Sequence, residues 1–286
     1  MPPTSENPLQ FLTDAHVAIV AGKGGVGKTT VTAVLARAAK EQGLRVLVVE
    51  LDGKPALAKL VGPDIQCLAL TPSAALAEYL ETHGLGRVAK RLATSGVIEV
   101  VATAAPGIDD IVVLGKIKQL EQTGSYDLIV VDGPAAGHAI TFLMAPTNLL
   151  KLMRGGPIRS QALDVAELLT DPARTRVILV TLPETTPVNE VVETAAALQD
   201  EGNLHLGPIV VNAFDGGDDL PSDKAPADSA LRAAAEFRNA RRALHRREVA
   251  RLAESIDRQQ LRLPMVTSTM DSDVVNTLAA GLGDQP

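Results

Sequence analysis

Short, continuous runs of β-branched and aliphatic residues punctuate this chain at 17–20, 45–50, 97–102, 128–131, 176–181 and 209–211. They do not alternate apolar with polar positions, so they predict strands buried on both faces. Longer stretches at 28–42, 187–199, 229–260 and 271–281 carry helical patterning. That strand–helix rhythm predicts an α/β fold: a doubly wound, mostly parallel sheet with ligands at the carboxyl ends of its strands. The 286 residues fit one domain, 1–286, with helical additions at about 58–95 and 139–171. The second addition contains the apolar runs 141–144 and 149–153, read as a packed helix face in preference to a binding groove. Residues 214–227, rich in Gly, Asp and Pro, read as a surface loop.

The first strand runs directly into Gly22, Lys23, Gly24, Gly25, Val26, Gly27, Lys28, Thr29 and Thr30. This stretch fits G-x-x-x-x-G-K-[ST], a loop whose backbone N–H groups converge on phosphate. The minimal pattern arises by chance in about one chain in a hundred of this length. The preceding strand, the following helix and the extra Lys23-Gly24-Gly25 make a bare glycine turn a poor reading. The helix opening at Lys28 adds unpaired N–H groups and the positive end of its dipole. Lys28 is expected to reach the β- and γ-phosphates and Thr29 to bind Mg²⁺ through its hydroxyl.

Composition narrows the partners. Aromatic residues make up 2% of the chain, with no Trp, and the net charge is −7. Neither a base-stacking platform nor a general attraction to nucleic acid follows, so no nucleic-acid partner is expected. The single cysteine, Cys67, excludes an internal disulfide and a Cys-x-x-Cys zinc site. No stretch approaches the ~20 apolar residues of a membrane span, which predicts a protein without an integral membrane segment, in the cytoplasm. Arginines crowd 238–251; a solvated helix face is the default reading, an acidic partner or lipid surface the sharper one.

Three later positions bear chemistry. Asp52 closes the second strand run and is the preferred residue for positioning the attacking water, with Glu50 its rival. Asp132 closes Tyr126–Val131 and is expected to complete the Mg²⁺ shell. The residues after it, Gly133 to His138, read as a loop able to shift when γ-phosphate leaves. Asn212 ends another apolar strand, where its amide can both donate to and accept from the adenine edge. Pro264, with Met265 and Val266, is a candidate for backbone contacts to adenine.

Taken together, these residues resemble the ATPase family of arsenite pumps and tail-anchored-protein targeting factors (ArsA-like), within the deviant Walker A class. The loop Gly22 to Thr30 matches the family motif residue for residue. Asp52 falls at the aspartate of the family's first switch, and Asp132-Gly-Pro-Ala-Ala-Gly-His138 is similar to its second switch. Pro106-Gly-Ile-Asp-Asp110 is similar to a family Pro-Gly-Ile-Asp-Glu segment, and Pro183-Glu184 and Glu190 sit in a stretch like the family's Pro-Glu-x-x-x-x-x-Glu. The fullest likeness is to actinobacterial ArsA-like proteins, through Leu114 to Lys118 and Gly155 to Pro157. The resemblance implies a P-loop NTPase core, ATP and Mg²⁺ as ligands, and hydrolysis by a nucleotide-gated dimer acting on an unknown protein client. The dimer pairs identical chains or this chain with another ArsA-like subunit. It also implies a task for Lys23: crossing the dimer interface to the partner's phosphates. Three departures stand out. There is no Cys-x-x-Cys to clasp a dimer through zinc. Cys67 alone cannot form a multi-thiol arsenite site, and Asp52 is followed by Gly-Lys-Pro. Two alternatives remain at this point: a regulatory or scaffolding subunit with slow turnover, and a partition or division-site type of ATPase.

Overall fold

The computed structural model describes residues 8–51, 56–82, 107–221 and 230–283. Seven strands form one sheet: β1 (Val17–Gly22), β2 (Val46–Glu50), β3 (Gln66–Ala69), β4 (Leu128–Ala135), β5 (Thr175–Thr181), β6 (Ile209–Phe214) and β7 (Gln260–Pro264). Their order is β3-β2-β4-β1-β5-β6-β7, and every neighbouring pair runs parallel.

The unbroken apolar strands have their counterpart in two cores. Val17, Ile19 and Ala21 of β1 face one cluster, and Ala18 and Val20 face the other. On the second side lie α2 (Lys28–Glu41), α3 (Ala56–Val61) and α10 (Ser272–Leu282). On the first side lie α4 (Pro72–Thr82), α5 (Ile108–Gln122), α6 (Ala136–Leu152), α7 (Pro157–Thr170), α8 (Thr185–Ala196) and α9 (Ala230–Ser255). A short α1 (Phe11–Asp14) precedes β1. Asp271 caps α10 by accepting from the Val274 N–H at 3.0 Å, which satisfies one orphan donor of its first turn. Among the described residues no helix is long and apolar enough to cross a membrane.

Several elements differ from the sequence-based expectation. The helix expected over 229–260 stops at Ser255, and Gln260 already begins β7. Within 58–95, β3 lies between α3 and α4 as the edge strand beside β2. Four residues with a half-exposed pattern leave no continuous apolar run to find. The 97–102 run lies outside the described residues. In α6, Phe142, Leu143, Met144, Ala145 and Leu149 are buried, so the packed-face reading holds for these positions.

The arginines of α9 are not a simple solvated face. Arg238 makes a bidentate pair with Asp215, at 2.9 and 3.0 Å. Arg242, 1% exposed, joins Asp219, and Arg247 and Arg251 close on the buried Glu248. The Asp215 and Asp219 pairs tie the segment after β6 to α9, a function the charge pattern alone does not disclose.

Candidate functional site

All seven strands point their carboxyl ends to one edge, and β1 ends at its centre. After β1 the chain crosses to β2, while β5 pairs on β1's other side. This reversal opens a crevice above β1, the usual ligand position in such sheets. Gly22 sits at its floor, where an added Cβ would lie 2.4 Å from the Val180 carbonyl oxygen. No side chain fits there. Gly27 has φ +91°, and a Cβ on it would lie 2.2 Å from Asn212 Nδ2, so both backbone conformation and space demand glycine.

Gly27 is also the N-cap of α2. It contributes no capping side chain, and the first turn of α2 holds no acidic residue. The leading N–H groups of a fourteen-residue helix therefore face the loop without a side-chain partner of their own, an arrangement suited to a polyphosphate. Lys28 folds back over the loop and donates from Nζ to the Lys23 carbonyl at 3.2 Å. Lys23 points the other way. Its ammonium pairs with Glu190 of α8 and its side chain is 40% exposed.

Asp132 reaches the site from β4. In the sheet it stands level with Val20 of β1 and Glu50 of β2. Thr29 Oγ1 donates to Asp132 Oδ2 at 2.8 Å, and Thr32 Oγ1 donates to Oδ1 at 3.2 Å. A hydroxyl that donates to a carboxylate keeps its lone pairs for a cation. Thr29 and Asp132 thus have the hard oxygen chemistry that Mg²⁺ prefers, with phosphates and water expected to complete the shell. Among the described residues no group of three or more His, Cys, Asp or Glu is placed to hold a metal by itself.

Asn212 reaches the loop from β6. Ala213 has φ +55°, and the β6–β7 register slips between Val211 and Phe214. A non-glycine residue in the left-handed region costs about 1 kcal/mol or more and persists only where its surroundings impose it. The kink coincides with the Asn212 amide donating from Nδ2 to the Val26 carbonyl at 2.9 Å. Pro264 ends β7 one strand further out, level with Phe214, and the Met265 N–H donates to the Phe214 carbonyl at 3.1 Å.

The structure therefore brings Lys23, Lys28, Thr29, Asp132 and Asn212 together around one loop, and Glu50 lies beside Asp132. Asp52 falls outside the described residues. Thr32 and Glu190 are the contacts whose meaning motif reading did not supply, since neither lies in the loop signature. The stretch after Asp132 is not a loop: β4 continues to Ala135 and α6 starts at Ala136. Parallel pairing of Ala135 with Gly22 carries the strand on. His138 on α6 approaches Asp110 of α5 at 3.7 Å, and burial raises the Asp110 carboxyl while the His138 charge partly opposes it. Burial, with the Glu50 charge, raises the half-buried Cys67 thiol, so it lacks the thiolate character of a reactive cysteine.

Comparisons with known proteins agree on one grouping. A family model described as anion-transporting ATPase matches residues 15–161, from β1 into α7. ATPase BagA of Mycobacterium tuberculosis is 30% identical across 96% of this chain and 94% of its own length. The arsenical pump-driving ATPase of Escherichia coli is 30% identical over 68% of this chain and 34% of itself. The ATPase get3 of Schizosaccharomyces japonicus is 28% identical over 56% of this chain and 55% of itself. A family match across about half of the chain, joined to an end-to-end relative at 30% identity, makes this protein a member of the ArsA-type anion-transporting ATPase family, an enzyme that hydrolyses ATP.

Proposed function

We propose that this ATPase depends on Mg²⁺ and works as a nucleotide-gated dimer, coupling hydrolysis to the holding and release of a protein client. The observation that carries this reading is the divergence of the two loop lysines. Lys28 lies inward over the loop, whereas Lys23 leaves it sideways, half-exposed, toward Glu190. An inward lysine serves the phosphates bound in its own loop. An outward one can serve a neighbouring subunit after exchanging Glu190 for phosphate. Charge delivered only on closure acts as an arginine finger does and is worth about 10³–10⁵ in rate.

Within one subunit, the loop amides and Lys28 hold the β- and γ-phosphates, and Asp52 positions the attacking water. Thr29 and Asp132 would hold Mg²⁺, whose charge would offset that developing on the transferred phosphoryl group. Asn212, with one amide proton engaged by Val26, accepts from the 6-amino group of adenine through Oδ1. Pro264 and the residues after it line the far side of the base.

The test is steady-state ATP hydrolysis by the purified protein in Mg²⁺ and in EDTA, with mass measured by light scattering with and without ATP. Chelation is expected to abolish turnover, and Asp52→Asn to lower kcat by about 10²-fold or more while sparing ATP binding. Near-normal turnover of Asp52→Asn, or a monomer at saturating ATP, overturns the corresponding part. Asn212→Ala is expected to raise KM for ATP about tenfold through loss of a hydrogen bond and its loop brace. KM for GTP, measured alongside, should move less; an equal rise would remove the base-reading role.

One observation favours slow turnover. Residues 133–135 are held in the sheet and 136–138 in α6, leaving little free chain to shift. A rate that rises only when client or a second ArsA-like subunit is added would support this reading.

A further inference from the structure

We infer that Thr32 is a positioning residue for metal binding: its hydroxyl pins the Asp132 carboxylate so that Thr29 presents its oxygen lone pairs to the phosphate side. This rests on the reading of Thr29 and Asp132 as the Mg²⁺-binding pair.

Thr29 and Thr32 are three residues apart on α2 and share one face of the helix. Thr32 is fully buried, as are its neighbours Val31, Ala33, Val34, Leu35 and Ala36. It is the one polar residue among them. A hydroxyl in such a place costs about 1–3 kcal/mol unless it is hydrogen-bonded, and a helical threonine commonly meets that cost by bonding a carbonyl in the preceding turn. Thr32 instead donates across to the adjoining strand, to Asp132 Oδ1 at 3.2 Å. The other oxygen of the same carboxylate, Oδ2, accepts from Thr29 at 2.8 Å.

Two donors on one carboxylate accomplish what one does not. The terminal torsion of aspartate has a broad, roughly two-fold well, so a single hydrogen bond leaves the carboxylate plane free to swing. With Oδ1 held by Thr32, Oδ2 is fixed over Thr29. The single Thr29 proton then points at Asp132, and its lone pairs face away from Asp132. Thr32 thus acts on the metal site through Asp132, and through Asp132 on Thr29, rather than as a ligand itself. Interactions of this rank around a metal are worth about 10–100-fold in affinity.

The experiment compares the full-length protein with Thr32→Val, which keeps the shape and loses the hydroxyl, and Thr32→Ser, which keeps the hydroxyl and loses a methyl. Thr32→Ala serves as a second hydroxyl-free variant should valine disturb folding. Mn²⁺ binding to the protein–ADP complex is read from the electron paramagnetic resonance signal of the free ion. ADP affinity in EDTA is read separately. Loss of the hydroxyl is expected to weaken Mn²⁺ binding about 10- to 100-fold, with Thr32→Ser staying within about threefold of wild type. ADP affinity in EDTA should be the same in every variant. Wild-type Mn²⁺ affinity in Thr32→Val or Thr32→Ala overturns the inference. So does an equal loss in Thr32→Ser, which would make the role one of packing. If Asp132→Asn also binds Mn²⁺ as wild type does, the underlying metal assignment has failed, a separate result.

Discussion

Lys28→Ala should lower kcat for ATP hydrolysis by about 10²–10³-fold, the scale of removing one preorganised electrostatic contact from a phosphoryl-transfer site. Lys28 is the first residue of α2, and its ammonium lies over the loop on the Lys23 carbonyl. Its charge is therefore held within the loop by short-range geometry before any phosphate arrives. The side chain is partly exposed, and loss of its hydrogen bond to the Lys23 carbonyl costs stability about 1 kcal/mol. Thermal unfolding should accordingly stay near that of wild type while turnover collapses. Turnover within a few-fold of wild type in a correctly folded Lys28→Ala protein would remove the loop from the catalytic account.

Lys23→Ala should be as severe, about 10³-fold in kcat, with ATP affinity little changed, because Lys23 points out of its own loop toward Glu190. The sharper measurement mixes two dead proteins. A Lys23→Ala subunit keeps an intact loop with Lys28, and a Lys28→Ala subunit still offers Lys23. In a mixed dimer one of the two sites is then complete. With random pairing, half the dimers are mixed and half of their sites work, so about a quarter of the wild-type rate should return. A lysine acting only within its own subunit gives no recovery on mixing, and that outcome would refute the trans arrangement. The wild-type control decides whether identical chains pair productively, since a chain that requires a different partner has no rate to recover when assayed by itself.

Much of the fold was legible because its signals are local. The runs at 17–20, 128–131 and 176–181 are continuous and apolar because β1, β4 and β5 lie inside the sheet with a core on each face. Lys28 to Gln42 reads as a helix because helix formers follow a glycine that must take positive φ. The loop itself was legible for the same reason: phosphate is bound by backbone, and only certain residues permit that backbone. The edge strands β3 and β7 were not legible. Each is short and partly exposed, with burial patterns that mix classes, so pairing with β2 and β6 rather than composition makes them strands. The arginines of α9 are a similar case. Their number was visible, but Asp215 and Asp219, which engage three of them, lie more than twenty residues away in sequence.

The candidate site divides along the same line. Residue type and position at a strand end were enough to single out Lys23, Lys28, Thr29, Asp132 and Asn212, because glycine loops and terminal carboxylates have few other uses in a parallel sheet. Which of them touch was decided by tertiary structure alone. Thr32 looks like any threonine in a helix until α2 is laid against β4, and the contact of Glu190 with Lys23 forms only once α8 is packed on β5. Nine consecutive residues suffice to specify the nucleotide chemistry, because the backbone conformations it needs are encoded locally. The orientation of the carboxylate and the resting place of the second lysine come from the packing of distant elements. Those depend on distances between elements a hundred or more residues apart, which no local pattern records.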